Sequence, residues 1–172
     1  MRKIAVIIGS KSDLAQCHQG LKILKKNSEG VEIVGIYIRS QHRNTLDTQE
    51  LLRELTALKV DVAIIGAGWA NHLTGCCDAF LRYTLKNNHL VVIGVAFEGG
   101  NETRNKAAVL SMTEVPGTQV IFGESQYVYF GTVGFVKACL FAITGDLPTI
   151  KLPEPKSIAD LSLEEAIEIS KS

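Results

Sequence analysis

The chain has 172 residues, 46% hydrophobic and 21% charged, which describes one ordinary globular domain able to bury about two thirds of its unfolded surface without a disulfide or metal staple. Eighteen Lys and Arg balance eighteen Asp and Glu, and zero net charge argues against a nucleic-acid binder driven by phosphate contacts while leaving self-association open. The longest apolar runs, such as Leu90 to Phe97, are strand-sized and fall well short of the roughly 20 residues of a membrane span.

The chain opens on Met1-Arg2-Lys3-Ile4 and runs straight into a strand pattern, without the apolar core or cleavage site of a signal peptide. Ile4 to Ile8 is a short, β-branched run suited to a buried parallel strand. Gly9 to Asp13 breaks it, and Leu14, Cys17, Leu21 and Leu24 recur at helical spacing, with Asp13 as the expected N-cap. Val31 to Ile38 is a second strand, and a helix carrying Leu51, Leu52, Leu55 and Leu58 follows it. Val60 to Ile65 is a third strand, Gly66 to Asn71 its loop, and Leu73 to Lys86 a helix. Cys76 and Cys77 in that helix read as packed, reduced thiols, since no C-x-x-C pair accompanies them or Cys17 and Cys139. Leu90 to Val95 is a fourth strand, Glu98 to Lys106 a polar loop, Ala107 to Thr113 a short helix and Val115-Pro116-Gly117 a turn. Gln119 to Phe122 is a fifth strand and Gly131 to Ile143 a last core helix.

Strand and helix alternate five times, which predicts an α/β fold: a parallel five-stranded sheet with helices on both faces, spanning residues 1–145. Residues 146–172 differ in texture. Pro148, Pro153 and Pro155 make an extended arm, and Ser162-x-x-Glu165 is a capping box that opens a short terminal helix. Absence of a leader, of a span and of disulfide spacing together predict a cytoplasmic protein.

In an open parallel sheet ligands bind beyond the carboxyl ends of the strands, so the strand-to-helix loops carry the chemistry. The first loop, Gly9-Ser10-Lys11-Ser12-Asp13, sets hydroxyls and a carboxylate at a helix start that suits a phosphate. It matches neither a Walker loop nor G-x-G-x-x-G. The second, Arg39-Ser40-Gln41-His42-Arg43-Asn44, supplies guanidinium for a phosphate and an imidazole for proton transfer. The third, Gly66 to Gly75, allows close backbone approach at its glycines and carries His72 at a helix start. Any one of these residues alone reads as ordinary loop structure. Three such loops on one sheet edge describe a site for a small phosphorylated ligand undergoing proton transfer.

These loops resemble those of the PurE family, which carboxylates aminoimidazole ribonucleotide in purine biosynthesis. The family's G-S-K-S-D stands intact at Gly9 to Asp13, and its S-A-H-R-T reads Ser40-Gln41-His42-Arg43-Asn44. Its A-G-A-G-G-A-A-H-L-P-G is met by Gly66-Ala67-Gly68-Trp69-Ala70-Asn71-His72-Leu73-Thr74-Gly75, and its S-I-V-Q-M-P-x-G by Ser111 to Gly117. The motifs lie in order across residues 3–145. The resemblance implies a flavodoxin-like three-layer αβα sandwich assembled as a homo-octamer, with no metal and no organic cofactor. Its partners are then a phosphoribosyl-aminoimidazole substrate and carbon dioxide or a carboxylate, with no nucleic acid and no membrane. It implies that Ser12, Ser40 and Arg43 hold the 5′-phosphate and Asp13 the ribose hydroxyls. Ser10, with the backbone amides around Gly68 and Ala70, faces the carboxylate. His42 is the general acid/base at C4, and His72 lines the same pocket.

The family has a mutase branch, which moves a carboxylate from the exocyclic N5 to C4, and a branch that carboxylates directly with carbon dioxide. Retention of His42-Arg43 together with His72 favours the mutase. Asn71, Thr74, Asp78 and Phe80 look more like the direct carboxylase. Trp69 replaces a glycine, the loop from Phe97 to Lys106 is polar where the family is small and apolar, and Thr132 to Val136 replaces N-A-A-L-L. These departures support a third reading, a nucleotide-binding relative without catalysis; the intact His42 argues against it.

Overall fold

The computed structural model describes residues 1–124 and 127–171. Its elements are β1 (Arg2–Ile8), α1 (Leu14–Lys26), β2 (Val31–Ile38), α2 (Thr45–Ala57), β3 (Val62–Ala67), α3 (His72–Ala79), β4 (Val91–Ala96), α4 (Glu102–Thr113), β5 (Gly123–Glu124), β6 (Tyr127–Val128), α5 (Gly131–Thr144) and α6 (Leu163–Ile169). The main sheet is parallel in the order β2-β1-β3-β4, the order of flavodoxin-like folds. Alternate residues of each central strand supply two cores. Ile4, Val6 and Ile8 pack with α1 and α5 through Cys17, Leu24, Phe135 and Cys139. Ala5 and Ile7 pack on the opposite face with α2 and α3 through Leu51, Leu55, Leu73 and Cys77. Burial on both faces is why these strands are continuous apolar runs, each buried Ile contributing about 1.5–3 kcal/mol.

On the first face α1 and α5 touch at Gly20. A Cβ there would fall 2.4 Å from Phe135 Cδ1 and 2.9 Å from Cys139 Sγ, both side chains fully buried. Gly20→Ala is therefore expected to destabilise the fold by about 1–3 kcal/mol, reversing the usual gain of alanine over glycine in a helix. A lower urea midpoint with unchanged slope is the expected result; an unchanged or higher midpoint contradicts the close helix contact.

The fifth strand is a correction. Gln119 to Phe122 forms no continuous strand in the sheet. Ile121 makes one parallel bridge to Ile93, the chain then leaves through the β5–β6 hairpin, and Phe130 returns to bridge Ala96. The hairpin is closed by Tyr129 N donating to Phe122 O at 2.8 Å, so two fragments share the edge position beside β4. An insertion that folds on itself takes the edge residues out of register with their partner.

Several boundaries also move. Asp13 stands at the start of α1 but its side chain makes no capping bond; Ser10 caps the preceding single 3-10 turn, Lys11–Asp13. Helix α4 begins near the middle of the expected loop because Asn101 Oδ1 accepts from Arg104 N at 2.9 Å. After α3 the chain continues through a single wide turn, Phe80–Thr84, in which Arg82 is 1% exposed. Arg82 Nε donates to Asp78 at 3.0 Å, and its other nitrogens donate to Asn87 O and Leu90 O at 2.8 Å. Cys77 is buried as expected, but Cys76 is exposed, because neighbouring positions on a helix face different sides. Burial pushes the Cys17 thiol up to about 12 and raises Cys77 and Cys139 as well, so these three are inert thiols.

Beyond α5 the chain is extended. Ile150 is buried, and the Gln119 side-chain amide pairs with the Lys151 backbone in both directions. The Ser162 capping box opens α6, whose residues are all exposed. Among the described residues no helix is long and apolar enough to cross a membrane.

Candidate active site

The loops after β1, β2 and β3 meet at one edge of the sheet around a cavity of about 500 Å³. The first and third are joined by Gly9 N donating to Gly66 O at 2.8 Å. A side chain on Gly9 would place its Cβ 2.8 Å from Ala67 Cβ, so only glycine lets them approach. The third loop is pinned to the end of β4 by Phe97 N donating to Ala67 O at 3.0 Å. Below it, Asn71 is wholly buried. Its Oδ1 accepts from Thr74 N at 3.2 Å, and its Nδ2 donates to Val95 O at 2.9 Å. Thr74 Oγ1 lies 2.8 Å from Asn71 Oδ1 and 3.1 Å from Ile65 O. Asn71 and Thr74 thus form one buried capping unit for α3.

Ser10, Ser12, Asp13, Ser40, His42, Arg43, Gly68 and Ala70 all line the cavity. Ser12 Oγ donates to Ser10 Oγ at 2.8 Å, which holds the two hydroxyls together on one wall. Ser40 is set by a turn in which Asn44 N donates to Ser40 O at 2.8 Å. Arg43 is exposed and forms no side-chain hydrogen bond or ion pair with the described residues, so its guanidinium is free for an anion. His72 is placed differently from the expectation. It does not form the cavity wall; its Nδ1 lies 3.1 Å from His42 Nε2, with the rings edge-to-face at 74°. At that distance one ring can donate to the other, in either sense. The reason is positional: His72 starts α3 beside the cavity, where it meets His42 of the second loop.

Asp13 is half-buried beneath the third loop. Burial raises its carboxyl above the usual range, while the backbone N–H groups of Gly68 and Ser10 pull the other way. A carboxyl raised in the fold gives stability that is complete below its unfolded value and is lost as pH rises through its folded value. Asp13→Asn is therefore expected to raise the melting temperature at neutral pH and not at pH 3, where both forms are uncharged. A variant less stable at neutral pH than wild type would show that the Gly68 and Ser10 bonds dominate instead.

Leu73 and Gln41 also line the cavity. Several features lie outside the motifs. Gln16 on α1 clamps Glu98 from both sides, accepting from its N–H at 2.9 Å and donating to its carbonyl at 3.2 Å. Arg104 stacks on Trp69, with its guanidinium carbon 3.5 Å from the ring centroid. Asp78 is part of the buried ion pair with Arg82 and does not line the cavity. The fourth motif is also outside the cavity; its Met112 packs where a Cβ on Gly94 would lie 2.5 Å from Sδ, behind the third loop.

The sequence pattern of the AIR carboxylase family matches residues 3–122. That is shorter than the stretch 3–145 read from motifs, and it stops where the chain leaves the sheet for the hairpin. The N5-carboxyaminoimidazole ribonucleotide mutase of Saccharolobus solfataricus is 30% identical over 116 residues, 67% of this chain and 66% of that protein. The mutase of the same name from Thermotoga maritima is 31% identical over 118 residues, 68% of this chain and 62% of that protein. The chain thus spans just under two thirds of the length of these relatives. Among solved structures, Treponema denticola PurE superposes with a TM-score of 0.55 at 19% identity, covering 83% of this chain and 87% of its own. The type II dehydroquinase of Butyrivibrio crossotus superposes with a TM-score of 0.53 at 14% identity, covering 84% and 99%. These two likenesses show the fold alone. The family pattern and the two relatives show more: the chain belongs to the AIR carboxylase family, the PurE family.

Proposed function

We propose that the protein is an N5-carboxyaminoimidazole ribonucleotide mutase acting in purine biosynthesis. The observation that carries this reading is His42, held by His72 at the mouth of a cavity whose walls also carry paired serines, Asp13 and the free guanidinium of Arg43. Two relatives of that name support it.

In the proposed mechanism Ser12, Ser40 and Arg43 hold the 5′-phosphate, and Asp13 binds the ribose hydroxyls. Ser10 and the backbone amides at Gly68 and Ala70 face the migrating carboxylate. The N5–carboxylate bond breaks, its electron pair stays on nitrogen, and His42 supplies the proton that nitrogen takes. C4 then attacks the confined carbon dioxide, and His42 recovers the proton that C4 releases. One proton is lent and returned, so the reaction is an isomerisation. Confinement keeps gas and nucleotide at high effective concentration between the two steps. His72 fixes the tautomer of His42 through the shared hydrogen bond.

The residues that resemble the direct-carboxylase branch are spent on packing: Asn71 and Thr74 cap α3, and Asp78 neutralises Arg82. They leave the mutase reading undisturbed. The test is turnover of carboxyaminoimidazole ribonucleotide in the reverse direction, with a trap that separates the N5-carboxy product from free amine. Prompt N5-carboxy product supports the mutase. Free amine as the sole enzymatic product supports direct carboxylation, and nucleotide binding without turnover supports a non-catalytic relative.

The proposed setting is the cytoplasm, and the proposed working form is a homo-oligomer. Ile158 and Leu163 on the arm and α6 are 91% and 72% exposed, apolar surface that a second copy would cover. Sedimentation is expected to give a multiple of 18.7 kDa; a mass near 18.7 kDa itself contradicts assembly.

A further inference from the structure

We propose that Trp69, clamped from behind by Arg104, is a stacking plate for the planar heterocycle of the phosphoribosyl ligand, and so a specificity-determining residue of this site. The inference rests on the reading of the cavity given under Proposed function.

Trp69 lines the cavity and has φ +63°. A bulky side chain there is strained, and such strain persists only where the surroundings hold it. The surroundings do hold it. The Arg104 guanidinium covers one face of the indole at 3.5 Å. Arg104 Nη1 donates to Gly99 O at 3.3 Å, and Gly99 N donates to Asn105 Oδ1 at 2.7 Å. A Cβ on Gly99 would lie 2.6 Å from Arg104 Cβ and 3.3 Å from Trp69 Cδ1, so glycine is what lets this loop reach the indole. The polar stretch after β4, held to α1 by Gln16, is therefore a bracket for one side chain.

With one face covered, Trp69 is still 60% exposed, so the other face is open. Apart from His42, it is the only ring among the described residues that line the cavity. A rigid, half-covered indole beside a phosphate-binding wall suits a flat π-system, because stacking needs a face already fixed in place. The cation behind the ring adds positive potential at the open face, which favours a heterocycle bearing a carboxylate. An indole that merely plugged the cavity would need no bracket holding it at the rim.

Trp69 is the only tryptophan of the chain, so its fluorescence reports on this contact alone. The experiment compares aminoimidazole ribonucleotide with ribose 5-phosphate, which has the same phosphate and sugar and no ring. Both are expected to bind by calorimetry, and only the ribonucleotide is expected to quench the tryptophan. Trp69→Gly accepts a positive φ and keeps the fold. It is expected to weaken ribonucleotide binding about tenfold and ribose 5-phosphate binding less than twofold, with Trp69→Phe between wild type and glycine. Equal weakening of both ligands, or tighter ribonucleotide binding by Trp69→Gly, overturns the stacking plate and leaves the phosphoribosyl site standing. Binding of neither ligand by the wild-type chain overturns the phosphoribosyl reading and this inference with it.

Discussion

His42→Asn is expected to lower kcat by about 10²–10⁴ while leaving nucleotide affinity within a few-fold of wild type. Asparagine keeps a polar amide near the position of Nδ1, but it gives up the Nε2 contact to His72 and cannot take and return a proton. The proposed phosphate and ribose contacts are made by other side chains, Ser12, Asp13, Ser40 and Arg43, so the Michaelis complex should still form. In kinetic terms the variant loses an interaction made only in the transition state, and kcat and kcat/KM should fall together. A parallel loss of affinity and turnover would make His42 a binding group. His72→Asn gives the matching control. Its loss should be smaller and should change the pH profile, since it removes the hydrogen-bond partner of His42 and not the proposed proton carrier itself.

Arg43→Ala is expected to weaken binding of phosphorylated ligand by about 1.5–3 kcal/mol, roughly ten- to a hundredfold, with kcat little changed at saturation. Arg43 lines the cavity and forms no ion pair or side-chain hydrogen bond with the described residues, whereas Arg82 and Arg104 are committed to Asp78 and Trp69. A guanidinium left free at a cavity rim can grip a phosphate with two parallel hydrogen bonds. Lysine at this position should recover only part of the affinity, because it keeps the charge and loses the fork. Unchanged affinity for the phosphorylated ligand in Arg43→Ala would refute the assignment.

Features set within a few residues of one another are legible in this sequence, and features set across the fold are not. Strands β1, β3 and β4 were legible because a strand covered on both faces must be apolar at nearly every position, and that mark is local. The capping box at Ser162 was legible for the same reason, since its two partners sit three residues apart. The loops that carry the site were legible as motifs and as the carboxyl ends of parallel strands. The fifth strand was not. Its residues are β-prone, but whether Ile121 and Phe130 share one edge depends on a hairpin between them and on a ladder partner far away in the chain. The start of α4 was also missed, because its first turn is polar and its one signal is the Asn101 cap.

By itself, then, the sequence determined the αβα layering, the family and the residue types offered at the sheet edge, all properties of local pattern and composition. Tertiary structure alone decided the pairings that give those residues their work. It set His72 against His42 rather than in the cavity wall, and it joined Asn71 with Thr74 beneath the third loop. It committed Asp78 to Arg82, and it brought Arg104 over an indole that the sequence showed only as an oddity in a glycine position. A hydrogen bond or a stacked ring depends on distances of a few ångströms between segments far apart in the chain. Such distances are set by how the layers pack, and no single segment encodes them.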